Sequence, residues 1–358
     1  MNHVQSASAA GSEWRPKALV AAVLIAIGLM AAYPAWQYLQ PVSVRFAIPA
    51  NQNDDESQQI WPASKGWPGT DALALIWDVY KAEGLDLDPV YTVGGKGALD
   101  AVLDGKADLA FASLAAVVER IANGSPLLVL AITTRSQDQI KLIARREAAQ
   151  HWLEKPIGYS RGTILESALL AQLQSLGKLD LLKSKKLALV NFDNPRNVVA
   201  ALIEGSIQTA SVLRPFADFA ISQTAPGKPS IFVDVTLPQG YWFENCVVTT
   251  ERGWHASRNG ILKALTAIKR TRQMARERPA RAFETIMKYE AAGVGGMPAS
   301  PSVWKIEDLV FLTRPADIGP SLIREAELRT TAGLMSKVPD FSNALSLLGR
   351  VNEGLGSP

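Results

Sequence analysis

The stretch GLDLDPVYTVGGKGALDAVLDGKADLAFASLAAVV, Gly84 to Val118, holds one full α/β unit. DPVYTV (Asp88–Val93) is rich in β-branched and aromatic residues and reads as a strand. Gly94-Gly95-Lys96-Gly97 then leads into a helix that runs toward Gly105. ADLAFAS (Ala107–Ser113) is a second strand of small apolar residues, and Leu114 to Asn123 a second helix. Strand, helix, strand, helix in this order predicts a mostly parallel sheet with helical crossovers.

Working outward, the same order returns. LDAVLDGKADLAFAS ends a helix at Gly105 and enters a strand; VAALIEGSIQTASVL does so at Gly205. Before the first unit lie a strand at Val42–Ile48, a long polar loop, and a helix from Thr70 to Glu83 stopped by Gly84. Further strands are expected at Leu127–Thr133, Lys155–Ser160, Lys186–Phe192, Thr209–Leu213, Ser230–Val235 and Cys246–Glu251. Further helices are expected at Thr163–Leu176, Pro195–Glu204, Pro215–Gln223, Ser257–Arg278, Pro279–Tyr289, Ser302–Phe311 and Ile318–Met335. The tail from Asn352 is expected to fray. The basic residues Lys269, Arg270, Arg272, Arg276 and Arg278 read as the solvated face of a helix whose apolar stripe is Ile261, Leu265, Ile268 and Met274.

Composition narrows the function. With 358 residues, 47% hydrophobic and 20% charged, the chain can build two packed domains. A net charge of +3 with scattered basic residues lacks the clustered face that nucleic acid requires. One cysteine, Cys246, rules out an intrachain disulfide, and with three widely separated histidines it offers no zinc spacing. No metal and no cofactor are expected.

The N-terminus carries a different signal. Between Arg15/Lys17 and Arg45 there is no charge, and Ala18–Trp36 is almost wholly apolar. That matches the ~20 residues of a spanning helix. Tyr33, Trp36 and Tyr38 stand where aromatic rings favour a headgroup layer, and the basic flank predicts a cytoplasmic N-terminus. A cleaved signal peptide is the competing reading. The fit to membrane thickness and the poor small-x-small pattern favour an uncleaved anchor. In both cases the body lies outside the cytoplasm, and the anchored reading places it in the periplasm, held on the inner membrane.

These motifs resemble a family. Gly84–Val118 is similar to the first-lobe core of periplasmic solute-binding proteins for aliphatic sulfonates, nitrate, taurine and thiamine-pyrimidine precursors. VNFDNPRNVVAALIEGSIQTASVLRPFADFA (Val190–Ala220) resembles their matching second-lobe segment. Cys246–Ile286 is similar to their return strand and long helix. The resemblance implies a type 2 periplasmic-binding fold: two α/β lobes, two hinge crossings and a central ligand cleft. It further implies a small-molecule ligand and a permease and an ATPase as partners. Lobe one is then expected at 41–135 with 245–340, lobe two at 136–244, an anchor at 1–40 and a tail at 341–358. The long loop after the first strand and the anchor depart from the family pattern. They keep open a second reading, a fixed sensor or structural subunit of a membrane complex.

Ligands of open α/β sheets settle at the carboxyl ends of the strands. The candidate positions are Trp61, Trp67 and Thr70 in the first loop, Gly94 and Gly95, Ser113, then Ser160, Gly162 and Thr163, Asp193 and Arg214. Ser160-Arg161-Gly162-Thr163 opens a helix, so its free N–H groups suit a sulfonate, carboxylate or phosphate. Ser and Thr are also favoured helix caps without any ligand. Gly94–Gly97 fits neither phosphate-loop pattern and reads as tight geometry. Trp77 belongs to a buried stripe with Leu73, Ile76 and Tyr80. Asp54, Asp55 and Glu56 read as solubilising charge. No nucleophile elbow is present, and Ser160 has no histidine near it in sequence, so a non-enzymatic role is expected.

Overall fold

The structure is a computed structural model that describes residues 42–50, 69–137, 139–193, 195–222, 232–235, 241–293 and 305–356. The chain divides into Met1–Val42 and Ser43–Pro358, and the expected anchor lies outside the described residues. No helix among the described residues is long and apolar enough to cross a membrane.

Among the described residues the body holds two five-stranded sheets. The first contains β1 (Val42–Ala50), β2 (Leu85–Val93), β3 (Leu109–Ser113), β4 (Leu128–Ser136) and β10 (Phe243–Thr249), in the order β2-β1-β3-β10-β4. The second contains β5 (Ile140–Arg145), β6 (Ile157–Tyr159), β7 (Leu189–Asn191), β8 (Thr209–Leu213) and β9 (Phe232–Val235), in the order β7-β6-β8-β5-β9. In each sheet one strand runs antiparallel to its neighbours: β10 against β3 and β4, β5 against β8 and β9. These are the two strands by which the chain enters one sheet from the other. β3, β4 and β10 are buried almost throughout, as strands covered by helices on both faces must be.

The duplicated motif also has a duplicated physical solution. The helix α3 (Gly94–Leu103) ends at Gly105, whose φ of +75° suits glycine. Arg252 donates to the carbonyl of Leu103 at 3.0 Å and Arg45 to that of Gly105 at 2.8 Å. In the second sheet, α7 (Pro195–Glu204) ends at Gly205 with φ +87°. There Arg145 donates to the carbonyls of Leu202 at 3.1 Å and Ile203 at 2.6 Å. Guanidinium groups close both helix ends, where orphan carbonyls gather.

Four local expectations are corrected. The first helix breaks into α1 (Gly69–Ile76) and α2 (Val79–Ala82), because Asp78 takes φ +53°. IKLIAR, unassigned from sequence, is β5; it buries four of its six residues, three of them consecutive, and so lacks the period-two pattern that marks a strand. In place of a helix over 302–311, the described part shows one short 3-10 turn at Ile306–Asp308. The chain end does not fray at Asn352: α12 (Leu348–Gly354) packs Leu348 into the core of the first sheet and buries Val351.

The remaining helices are α4 (Leu114–Ala122), α5 (Ile164–Ser175), α6 (Leu179–Lys183), α8 (Arg214–Ser222), α9 (Glu251–Glu277), α10 (Pro279–Gly293) and α11 (Pro315–Thr331). In α9, Ile261, Leu265 and Ile268 are buried as expected, but Arg272 is only 2% exposed and donates to the Thr133 carbonyl at 3.2 Å. It belongs to the core side of the helix, not to the solvated face.

α11 matters most for the site. Its Ile318, Leu322 and Ala326 are part of the first sheet's core, while Leu328, with Ala332 just beyond, is part of the second's. A further apolar cluster joins Ala115 of α4 to Ile164, Leu165 and Ala168 of α5. One helix is thus spliced into both halves.

Candidate functional site

Each sheet sends a capped helix to the seam between the halves. Ser113 ends β3 and caps α4, accepting from the Ala116 N–H at 3.4 Å. Thr163 caps α5, accepting from the Leu165 N–H at 3.2 Å and donating to the Ser160 carbonyl at 2.7 Å. Ser160 is buried. The halves touch at Gly162, which has φ +66°; a Cβ there would sit 1.8 Å from Glu119 Oε2 and 2.6 Å from Lys96 Nζ.

The turn at Ser160–Thr163 is already occupied by the chain. The Arg161 N–H donates to Asn191 Oδ1 at 2.8 Å, and the Gly162 N–H to Glu166 Oε2 at 2.9 Å. Glu166 lies in the first turn of α5, and its carboxylate folds back on the helix's own positive end. Behind it lies a buried ion network. Arg329, whose side chain is 3% exposed, reaches Glu166 Oε2 at 2.9 Å, Glu325 Oε1 at 2.8 Å and Ser167 Oγ at 2.9 Å. The Ser167 hydroxyl donates in turn to Glu325 Oε1. Burial opposes charge on Arg329, but Glu325 and Glu166 outweigh it and hold the guanidinium more firmly protonated than in water.

A second network sits where the chain returns to the first sheet. Glu244 stands opposite Arg135 in the β10–β4 register, and the pair closes at 2.6 Å. Ser321 donates to the same oxygen at 2.9 Å, and Arg324 to the other at 3.1 Å.

Between the two networks lies a cavity of about 320 Å³. Leu114 and Ala115 of α4 and Ile164, Ala171, Gln174 and Ser175 of α5 form two walls. Tyr241, Trp242 and Glu244 of the return crossing and Ser321 to Leu328 of α11 close the others. The Tyr241 hydroxyl is buried beside Ser167, whose proton is committed to Glu325, and makes no hydrogen bond of adequate geometry among the described residues. Burial, reinforced by Glu325, raises this phenol well above the usual tyrosine value.

The expected site residues divide accordingly. Gly94, with φ +62°, and Gly95 open α3 at the tip of β2, and their neighbour Lys96 meets Gly162. Asp193 is exposed after β7. Arg214 starts α8 and places Nε 3.5 Å from Asp218. The structure gives neither Asp193 nor Arg214 a contact with the Gly162 turn. Thr70 lies in the first turn of α1, and Trp61 and Trp67 fall outside the described residues. Trp77 is half-buried and donates to Thr285 at 3.2 Å. Sequence reading missed Glu166, Tyr241, Glu244, Glu325 and Arg329. A signal existed for two of them, since Glu166 and Glu244 are lone charges within otherwise apolar runs.

A family model described as NMT1/THI5 like matches residues 75–282. The chain belongs to the NMT1/THI5-like family. Among solved structures, the alkanesulfonate-binding protein SsuA of Xanthomonas axonopodis pv. citri, bound to MOPS, is 14% identical with a TM-score of 0.63. That match covers 87% of this chain and 98% of the other. The periplasmic aliphatic sulphonate binding protein SsuA of Escherichia coli is 14% identical with a TM-score of 0.60, covering 85% and 92%. The Candida albicans CA3427 product, described as having the generic periplasmic binding protein fold, is 14% identical with a TM-score of 0.61, covering 88% and 95%. At these identities the likeness is one of fold. No curated protein matches the chain.

Proposed function

We propose that this chain is an extracytoplasmic solute-binding subunit of an ABC-type importer, held on the inner membrane by Ala18–Trp36 with its N-terminus in the cytoplasm. The observation that carries this reading is the meeting of two helix N-termini, one from each sheet, at a single seam in an NMT1/THI5-like chain. Binding without chemistry fits the family, and no histidine is placed beside Ser160 among the described residues. The solute class favoured by Arg161 and the α5 N-terminus is a small sulfonate or carboxylate, which must compete with Glu166 for the Gly162 amide. Permease and ATPase subunits are the expected partners.

The test is thermal unfolding of the full chain in detergent with short alkanesulfonates and carboxylates. A ligand that binds only the folded state raises Tm with its concentration. Absence of any shift across the panel would remove this reading. A fixed sensory or structural subunit then takes its place, and the splicing of α11 into both cores favours that second reading. Co-purification separates the two: a permease and an ATPase, or an unrelated membrane assembly.

A further inference from the structure

The donors at the start of α5 converge on an oxygen that the chain itself supplies. Glu166 Oε2 accepts from the Gly162 N–H at 2.9 Å and from Arg329 Nη1 at 2.9 Å. A main-chain amide at a helix N-terminus and a guanidinium together are a strong donor pair for a carboxylate or sulfonate oxygen. Gly162, Glu166 and Arg329 are all buried.

Two features separate this arrangement from an ordinary helix cap. A glutamate three residues after the cap usually reaches back to the cap residue's own N–H. Glu166 instead passes Thr163 and takes the N–H of the residue before it. Its counter-charge is not local either: Arg329 lies 163 residues away on α11, where Glu325 and Ser167 fix it. The outer side of the turn is closed as well. Glu119 Oε2 and Lys96 Nζ, from the first half, lie 1.8 and 2.6 Å from where a Gly162 Cβ would be, so not even a methyl group fits. A solute oxygen reaches both donors by taking the place of the Glu166 carboxylate.

We propose that Glu166 is a built-in anion, which fills the oxyanion site of α5 from within and holds down the chain's affinity for anionic solutes. The place of the anion rests on the solute-capture reading; the addition is that this turn binds one tightly only when Glu166 is withdrawn. Cutting Glu166 back to alanine deletes a CH2–COO⁻ unit, which acetate matches in charge and closely in size. The cut leaves the Gly162 N–H and Arg329 Nη1 without their acceptor, and Arg329 with Glu325 as its remaining carboxylate partner. Buried donors left unmet cost free energy, so an added anion is drawn into the gap.

The experiment titrates the full chain in detergent with acetate, methanesulfonate and neutral acetamide, followed by calorimetry and by Tm. Glu166→Ala is expected to unfold at a lower temperature than the unmodified chain and to recover as acetate rises, as a ligand of the folded state requires. It is expected to bind acetate and methanesulfonate at least tenfold tighter than the unmodified chain does, the size of one hydrogen bond to a charged group, and acetamide no tighter. Glu166→Asp keeps a charge beside Arg329 but draws its oxygens back from Gly162, and a smaller gain of the same kind is expected. A folded Glu166→Ala that binds the two anions no tighter, or gains equally for acetamide, overturns the proposal. Should Glu166→Ala stay unfolded even in acetate, Glu166→Asp decides: a gain supports the proposal, and the affinity of the unmodified chain overturns it. An unmodified chain that binds methanesulfonate as tightly as Glu166→Ala sinks this inference and leaves solute capture standing. An unresponsive unmodified chain beside a Glu166→Ala that binds sustains the inference and tells against capture by the native chain.

Discussion

Replacing Arg329 by methionine tests whether the seam is held by its buried charges. The methionine chain fills part of the same volume but supplies no charge and no donors. Glu166 and Glu325, with side chains 6% and 8% exposed, then lose their shared counter-charge. Ser167 Oγ and the Thr163 carbonyl lose Arg329 as a donor as well. Removing one partner of a buried ion pair costs about 3–5 kcal/mol, because the remaining charge is stranded. Two carboxylates are stranded here, so the upper part of that range is expected. At about 2–4 °C per kcal/mol for a body of this size, Tm falls by roughly 10 °C or more. Urea unfolding followed by circular dichroism measures the loss directly. The triple variant Glu166→Gln, Glu325→Gln, Arg329→Met removes the stranded charge and is expected to recover at least half of the deficit. A single-variant loss below ~1 kcal/mol, the level of an exposed pair, refutes the reasoning. So does a triple variant no more stable than the single one.

Three further outcomes follow from the same geometry. Leu322→Ala, at a fully buried position of α11, is expected to cost about 2–5 kcal/mol and, because α11 lies in both cores, to lower the unfolding midpoint of both sheets together in hydrogen exchange. Gly162→Ala combines a left-handed backbone with a Cβ 1.8 Å from Glu119 Oε2, and is expected to lose more than ~1 kcal/mol in chemical denaturation, with Glu119→Ala restoring part of it. In the unfolded chain Tyr241 ionises near pH ~10. Its folded value lies well above that because of burial, so its contribution is intact below pH ~10 and lost as pH rises beyond; alkaline unfolding curves should fall less steeply in Tyr241→Phe.

Much of the architecture was legible because it depends on local signals. Gly105 and Gly205 mark two helix ends where a positive φ is required, and the strands after them are small and apolar because helices cover both faces. What failed to show was set by tertiary context. Asp78 breaks the first helix although its residue type does not demand it, and β5 is specified by β8 and β9 on either side of it more than by its own six residues. The site divides in the same way. Ser113 and Thr163 were readable as helix starts, since cap chemistry is local. The occupant of the α5 N-terminus was not: Glu166 lies only four residues from Gly162, but its burial depends on Arg329, distant in sequence. Glu325 and Arg329 at i, i+4 look in sequence like any solvated helical pair.

The placing of charge along α11 has a physical logic. Ser321 and Arg324 meet Glu244 from the first sheet, and Glu325 and Arg329 meet Ser167 and Glu166 from the helix over the second. Ser321 and Arg329 are separated by about 12 Å along the helix axis at the usual rise per residue. Apolar side chains of equal volume would fill this seam with comparable net stability, since desolvation consumes most of the gain of a buried pair. They would also leave the helix free to slide by a turn, because Leu, Ile and Ala contacts are non-directional. Two hydrogen-bonded carboxylates at fixed spacing admit one register only. The ion networks therefore fix where α11 sits between the halves, and with it the shape of the cavity it closes, more than they add to the stability of either core.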